Sequence, residues 1–104
     1  MSMSLDERVR TAVAALLHVT GESQTELAAA LGVSQAQVSR RQSGTAAWSL
    51  ADCDAVAAHY GIDALDLLEG PTRATESLSP GRRRSRVRRA VAARGVPVQE
   101  EGLR

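Results

Sequence analysis

Ser23-Gln-Thr-Glu-Leu-Ala-Ala-Ala-Leu-Gly-Val-Ser-Gln-Ala-Gln-Val-Ser-Arg-Arg-Gln-Ser-Gly44 reads as two short helices hinged at Gly32. Leu27, Ala28 and Leu31 fall at i, i+1 and i+4, a narrow apolar face on a helix too short to persist in water unless it packs on something. Ser23 with Glu26 and Ser34 with Gln37 each fit a capping box, in which the hydroxyl and the later side chain satisfy unpaired amides at a helix start. Two helix starts therefore lie eleven residues apart. Gly32 between them can take positive φ and end the first helix at little steric cost, Val33 can plug the angle, and Gly44 closes the second helix.

The same punctuation recurs outward. Ser4 with Glu7 opens a helix carrying Val9, Val13, Leu16 and Leu17 toward a core, ending at Gly21. Ser49 with Asp52 opens another, in which Leu50, Cys53, Val56, Ala57 and Tyr60 keep helical spacing. Asp63 caps a last short helix, so Gly21, Gly32, Gly44, Gly61 and Gly70 each close one of five helices. Pro71 and the Ser/Thr/Pro-containing run that follows read as a linker over 71–81. The expected organisation is a helical domain over 4–70, the linker, and an arginine-rich tail over 82–104.

Composition agrees with an all-α domain. The chain has 104 residues, 43% of them hydrophobic, with no Phe, one Trp and one Tyr, so Leu, Val and Ala must fill the core. Through Gly70 four Arg stand against nine acidic residues, net −5; from Pro71 onward nine Arg stand against three, net +6. All 13 basic residues are Arg, a bias that fits a GC-rich bacterial or phage genome. The longest apolar run, Ala12 to Leu17, is too short to span a bilayer, and the N-terminus has no signal-like sequence, so the expected location is the cytoplasm. Cys53 is the only cysteine, which excludes an internal disulfide and a thiolate zinc cluster. His18 and His59 have no metal-ligand spacing and no phosphate-binding Gly-rich loop occurs, so neither an enzyme, a metal site, a cofactor nor a small-molecule ligand is expected.

The segment 23–44 resembles the DNA-binding domains of the lambda and 434 repressor and Cro group, the Xre-like helix-turn-helix class of bacterial and phage regulators. Trp48 to Leu50, Tyr60 to Ile62 and Asp63 to Gly70 extend the likeness to about 60 residues. The resemblance implies a five-helix lambda-repressor-like domain, a double-stranded DNA partner, and a cytoplasmic transcription regulator of repressor type. Its members commonly bind as dimers on pseudo-palindromes, so a homodimer is implied as well.

In such a domain the second helix of the motif enters the major groove with its outward residues toward base edges. Here these are Gln35, Ala36, Ser39 and Arg40, while Val38 faces inward. Gln35 suits adenine, Ala36 a thymine methyl, and Arg40 guanine or a phosphate. Gln37 and Ser43 are expected to meet the phosphate backbone. By resemblance, Gln24 occupies the place of a glutamine that bonds a phosphate and braces the one corresponding to Gln35. The family usually has an apolar residue at Arg41, and at Gln42 a Glu that pairs with a first-helix Arg whose place falls at Leu17. Arg41 is therefore expected to reach along the domain edge to a phosphate.

Gly81 to Gly95 holds seven Arg and no acid, enough charge for Arg82, Arg83, Arg84, Arg86, Arg88 and Arg89 to contact a polyanion without sequence preference. Val87, Ala90, Val91 and Arg94 also have helical spacing, leaving open a docking or dimer helix; a membrane is not an expected partner, since no large apolar side chain is available to insert. The alternative to a DNA-binding regulator is a protein-interaction module, antitoxin-like or a complex-assembly subunit, using the same bundle.

Overall fold

The four Ser-x-x-Glu/Gln/Asp signals start four helices in the computed structural model, which describes residues 3–83. In each box the hydroxyl and the later side chain exchange hydrogen bonds with the opposite amide at 2.8–3.1 Å. The helices are α1 (Leu5–Thr20), α2 (Gln24–Leu31), α3 (Gln35–Ser43), α4 (Leu50–Tyr60), α5 (Ala64–Leu68) and α6 (Pro71–Glu76), and a further helical turn begins at residue 80. No strand occurs among the described residues.

A single core runs through the bundle. α1 contributes Val9, Ala12, Val13 and Leu16; α2 Leu27 and Ala28; α3 Val38; α4 Cys53, Val56 and Tyr60; and Trp48 covers one end. Leu17, Leu31 and Val33, expected inside, are partly buried and pack against it. Leu50 departs further and is 74% exposed. It continues the Cys53–Val56–Tyr60 stripe by one turn, but at the first residue of α4, past the end of the core.

The five-helix count does not hold. Residues 71–76 of the expected linker form α6, which packs along α1 and buries Ala74; Leu78 follows it into the core at 5% exposure. Pro71 suits the first turn of a helix, where its missing N–H removes an amide that would have had no helical partner. Gly70 accordingly opens α6 instead of closing α5, which ends at Glu69. Its φ of 116° and ψ of −175° belong to a region essentially restricted to glycine, and they turn the chain from α5 back onto α1. Burial of Ala74 and Leu78 outweighs a local composition that looks like a connector.

Candidate nucleic-acid interface

α3 is held from one side and open on the other. Val38 is fully buried, whereas Gln35, Ala36, Ser39 and Arg40 are exposed, so the four residues expected at base edges share one solvent-facing surface. Arg40 makes no ion pair among the described residues, and α3 has no acid in its first turn. Gln35 Nε2 donates to Gln24 Oε1 at 3.0 Å, which is the brace between the two helices that the resemblance implies.

Gln37 and Ser43, expected at the phosphate backbone, each make a local hydrogen bond at one end of α3. Gln37 Oε1 accepts from the Ser34 amide in the capping box, and Ser43 Oγ donates to the Arg40 carbonyl and lies 2.9 Å from Thr45 Oγ1. Gln37 retains its NH2 group as a donor; Ser43 is at the exposed C-terminal end of α3.

Arg41 points to the bundle. Its Nε lies 3.0 Å from Asp52 Oδ2, and its guanidinium carbon is 5.6 Å from the centre of the Trp48 ring. Burial pushes the Asp52 carboxyl up, but hydrogen bonds from Ser49 and Arg41 outweigh it and hold the group below the usual carboxylate range. Arg41, expected at a phosphate, here makes an ion pair that fastens α3 to the start of α4. Asp52 was legible only as a helix cap, because its second partner is eleven residues away.

Gln42 closes a second brace. Its Nε2 donates to the Arg10 carbonyl at 3.1 Å and its Oε1 accepts from Trp48 Nε1 at 2.9 Å. The part of α1 that meets α3 here is Arg10, not Leu17, and the Arg10 guanidinium pairs with Asp6 within its own helix. A neutral amide does at this point what a charged pair was expected to do, using both its donor and its acceptor.

The cluster that sequence reading missed lies where the turn between α1 and α2 meets the end of α4. Glu22 Oε1 accepts from the Tyr60 hydroxyl at 2.9 Å, Glu22 Oε2 lies 2.8 Å from His59 Nε2, and Arg82 Nη2 stands 3.9 Å from the same Oε2. Burial, then the Glu22 charge and hydrogen bond, push the Tyr60 phenol far up. Separations of 37, 38 and 60 residues leave no local pattern to signal this meeting. Arg82 is therefore turned to the bundle, and Arg83 donates to the Thr75 carbonyl at 2.9 Å. Arg84, Arg86, Arg88 and Arg89 lie outside the described residues.

Cys53 is buried; burial, then Asp52, Asp54 and Asp6, push its thiol up, away from the reactive thiolate form. A cavity of about 130 Å³ beside it, lined by Leu5, Val9, Trp48, Leu50 and Leu68 among others, is below the range of roughly 300–1,000 Å³ usual for ligand pockets. No group of metal-ligating residues and no helix long and apolar enough to cross a membrane occurs among the described residues.

A braced two-helix unit presenting a polar, acid-free helix face is what a protein needs to dock a helix against a polyanion. The family model of the BetR domain matches residues 2–99. The chain belongs to the BetR domain family. This is a helix-turn-helix-like family of DNA-binding regulatory domains and is not an enzyme family. The match supports the helix-turn-helix character read from residues 23–70 without being specific to the lambda and Cro group, and it covers α6 and most of the arginine-rich sequence as well as the first five helices. No curated protein and no solved structure matches the chain.

Proposed function

We propose that this BetR domain is a sequence-specific transcription regulator of repressor type, which occupies an operator by laying α3 in the major groove of double-stranded DNA. The observation that carries the reading is the Gln24–Gln35 hydrogen bond at 3.0 Å on an exposed surface, because it orients the Gln35 amide before any base is met. Gln35, Ala36, Ser39 and Arg40 read base edges; Gln24, Gln37 and Ser43 face phosphates on either side. Arg41 and Gln42 supply stiffness, since both are tied to the bundle next to Trp48. The positive charge of Arg40 and the arginines in the sequence beyond residue 83 supply the salt-dependent part of the affinity. As a homodimer, two α3 helices would occupy half-sites about one helical turn apart.

Replacing Gln35 and Arg40 together by Ala removes two base-reading side chains and no buried contact. At roughly 1–3 kcal/mol for each good pair, specific affinity should fall at least tenfold with an unchanged melting temperature. Fluorescence anisotropy on a preferred duplex measures this. Unchanged specific binding in the double variant would refute base reading by Gln35 and Arg40, and absence of any preferred duplex for the parent chain would move the bundle to protein recognition.

A further inference from the structure

The outward row of α3 does not stop at Arg40. At about 100° per residue, Ser43 falls between Ser39 and Ala36 in the arc swept by Gln35, Ser39, Ala36 and Arg40, and Val38 lies outside that arc. Ser43 therefore closes the exposed face at its C-terminal end. Gly44, left-handed at φ 87°, then turns the chain back. The Ala46 amide donates to the Arg40 carbonyl at 3.1 Å, and Thr45 Oγ1 comes to 2.9 Å from Ser43 Oγ, so an exposed Thr45 is seated against the end of the same face.

The two hydroxyls are not equivalent. Ser43 has one hydroxyl hydrogen, and it goes to the Arg40 carbonyl at 3.0 Å. In the pair with Thr45, Ser43 Oγ is thus the acceptor, and the Thr45 amide stands 3.4 Å from the same oxygen. The Thr45 hydrogen is held only by a neutral, exposed hydroxyl. A bond from it to a phosphate oxygen is charge-assisted and stronger, and when it turns outward Ser43 Oγ still has the Thr45 amide. We propose that the Thr45 hydroxyl is the donor to a DNA phosphate at the C-terminal end of α3, and that Ser43 is the residue that positions it. The inference rests on the DNA-binding reading above and deepens it: Ser43 faces the phosphate, and Thr45 makes the bond.

Binding of the full chain to a preferred and a scrambled duplex, followed by fluorescence anisotropy, tests this. Thr45→Val keeps the shape and one methyl of the side chain and removes the hydroxyl; it should weaken binding by about fivefold on both duplexes, since a phosphate carries no sequence information. Thr45→Ser, which restores the donor, should stay within about twofold of the parent chain. Ser43→Ala should cost about threefold alone and nothing further in the Thr45→Val background, because it acts through Thr45. An equal loss from Ser43→Ala in both backgrounds would assign the contact to Ser43 itself, and a Thr45→Val loss confined to the preferred duplex would make Thr45 a base reader. Either result, or no loss in Thr45→Val, overturns the proposal. Should Ser43→Ala fray the end of α3, the Thr45→Val and Thr45→Ser pair still decides. A parent chain that binds no duplex would instead refute the DNA-binding reading, and the proposal with it.

Discussion

Gln42→Ala should loosen α3 without unwinding it. The side chain makes two bonds, to the Arg10 carbonyl at 3.1 Å and from the Trp48 indole at 2.9 Å. Truncation removes the first, a net contribution of about 0.5–1.5 kcal/mol, and leaves the Trp48 N–H without its partner in a residue that is 7% exposed. An unsatisfied buried donor costs about 1–3 kcal/mol, the lower half applying here because the pair is only part-buried. The sum is about 2 kcal/mol, or about 10 °C in melting temperature for a domain of this size. Since Trp48 is the only tryptophan, urea unfolding followed by its fluorescence reports directly on the site. Trp48→Phe, followed by far-UV circular dichroism because it removes the fluorophore, should lose part of the same energy, and the double variant read in the same way should cost about 1 kcal/mol less than the sum of the singles. A Gln42→Ala chain within 0.5 kcal/mol of the parent, or a fully additive cycle, would refute the brace.

Other outcomes follow from the same geometry. Leu78→Ala should destabilise the chain by roughly 2–3 kcal/mol, because Leu78 is a core residue at 5% exposure, and a shift under 0.5 kcal/mol in urea unfolding would restore the linker reading of 71–81. Asp52 has a folded-state pKa below its ordinary value, so it contributes stability that is present above the unfolded carboxyl value of about 3.9 and is lost as pH falls through the folded value. Asp52→Asn should therefore show a shallower loss of stability below about pH 4 than the parent; parallel curves of urea midpoint against pH would contradict the assignment.

Much of the helical framework was legible because its signals are local. A Ser followed three residues later by Glu, Gln or Asp is a helix-start signal that needs no distant partner, and at residues 4, 23, 34 and 49 it marks one, although the same spacing at Ser39 and Gln42 falls inside α3. The exposed row Gln35, Ala36, Ser39 and Arg40 was readable for a similar reason, since Val38 alone identifies the inward side of α3. α6 was not readable: Ala74 and Leu78 are its only evident apolar anchors, set among Thr, Ser and Pro, and their burial depends on α1 more than fifty residues earlier. Arg41 looked free for the same reason, because its partner Asp52 already had a complete local role as a cap. Gln42 shows the limit of transferring a contact by position, for the α1 residue opposite it is set by how the helices pack and proved to be Arg10. The Glu22 cluster depends wholly on tertiary closure.

Selection of the purified full chain against a pool of random DNA duplexes at near-physiological salt tests the central claim most directly. An enriched motif with two-fold symmetry, lost in the chain carrying Gln35→Ala and Arg40→Ala, is the predicted result. Retention of duplexes without any common motif would contradict it, leaving binding to the arginine-rich sequence and the α2–α3 face to another partner.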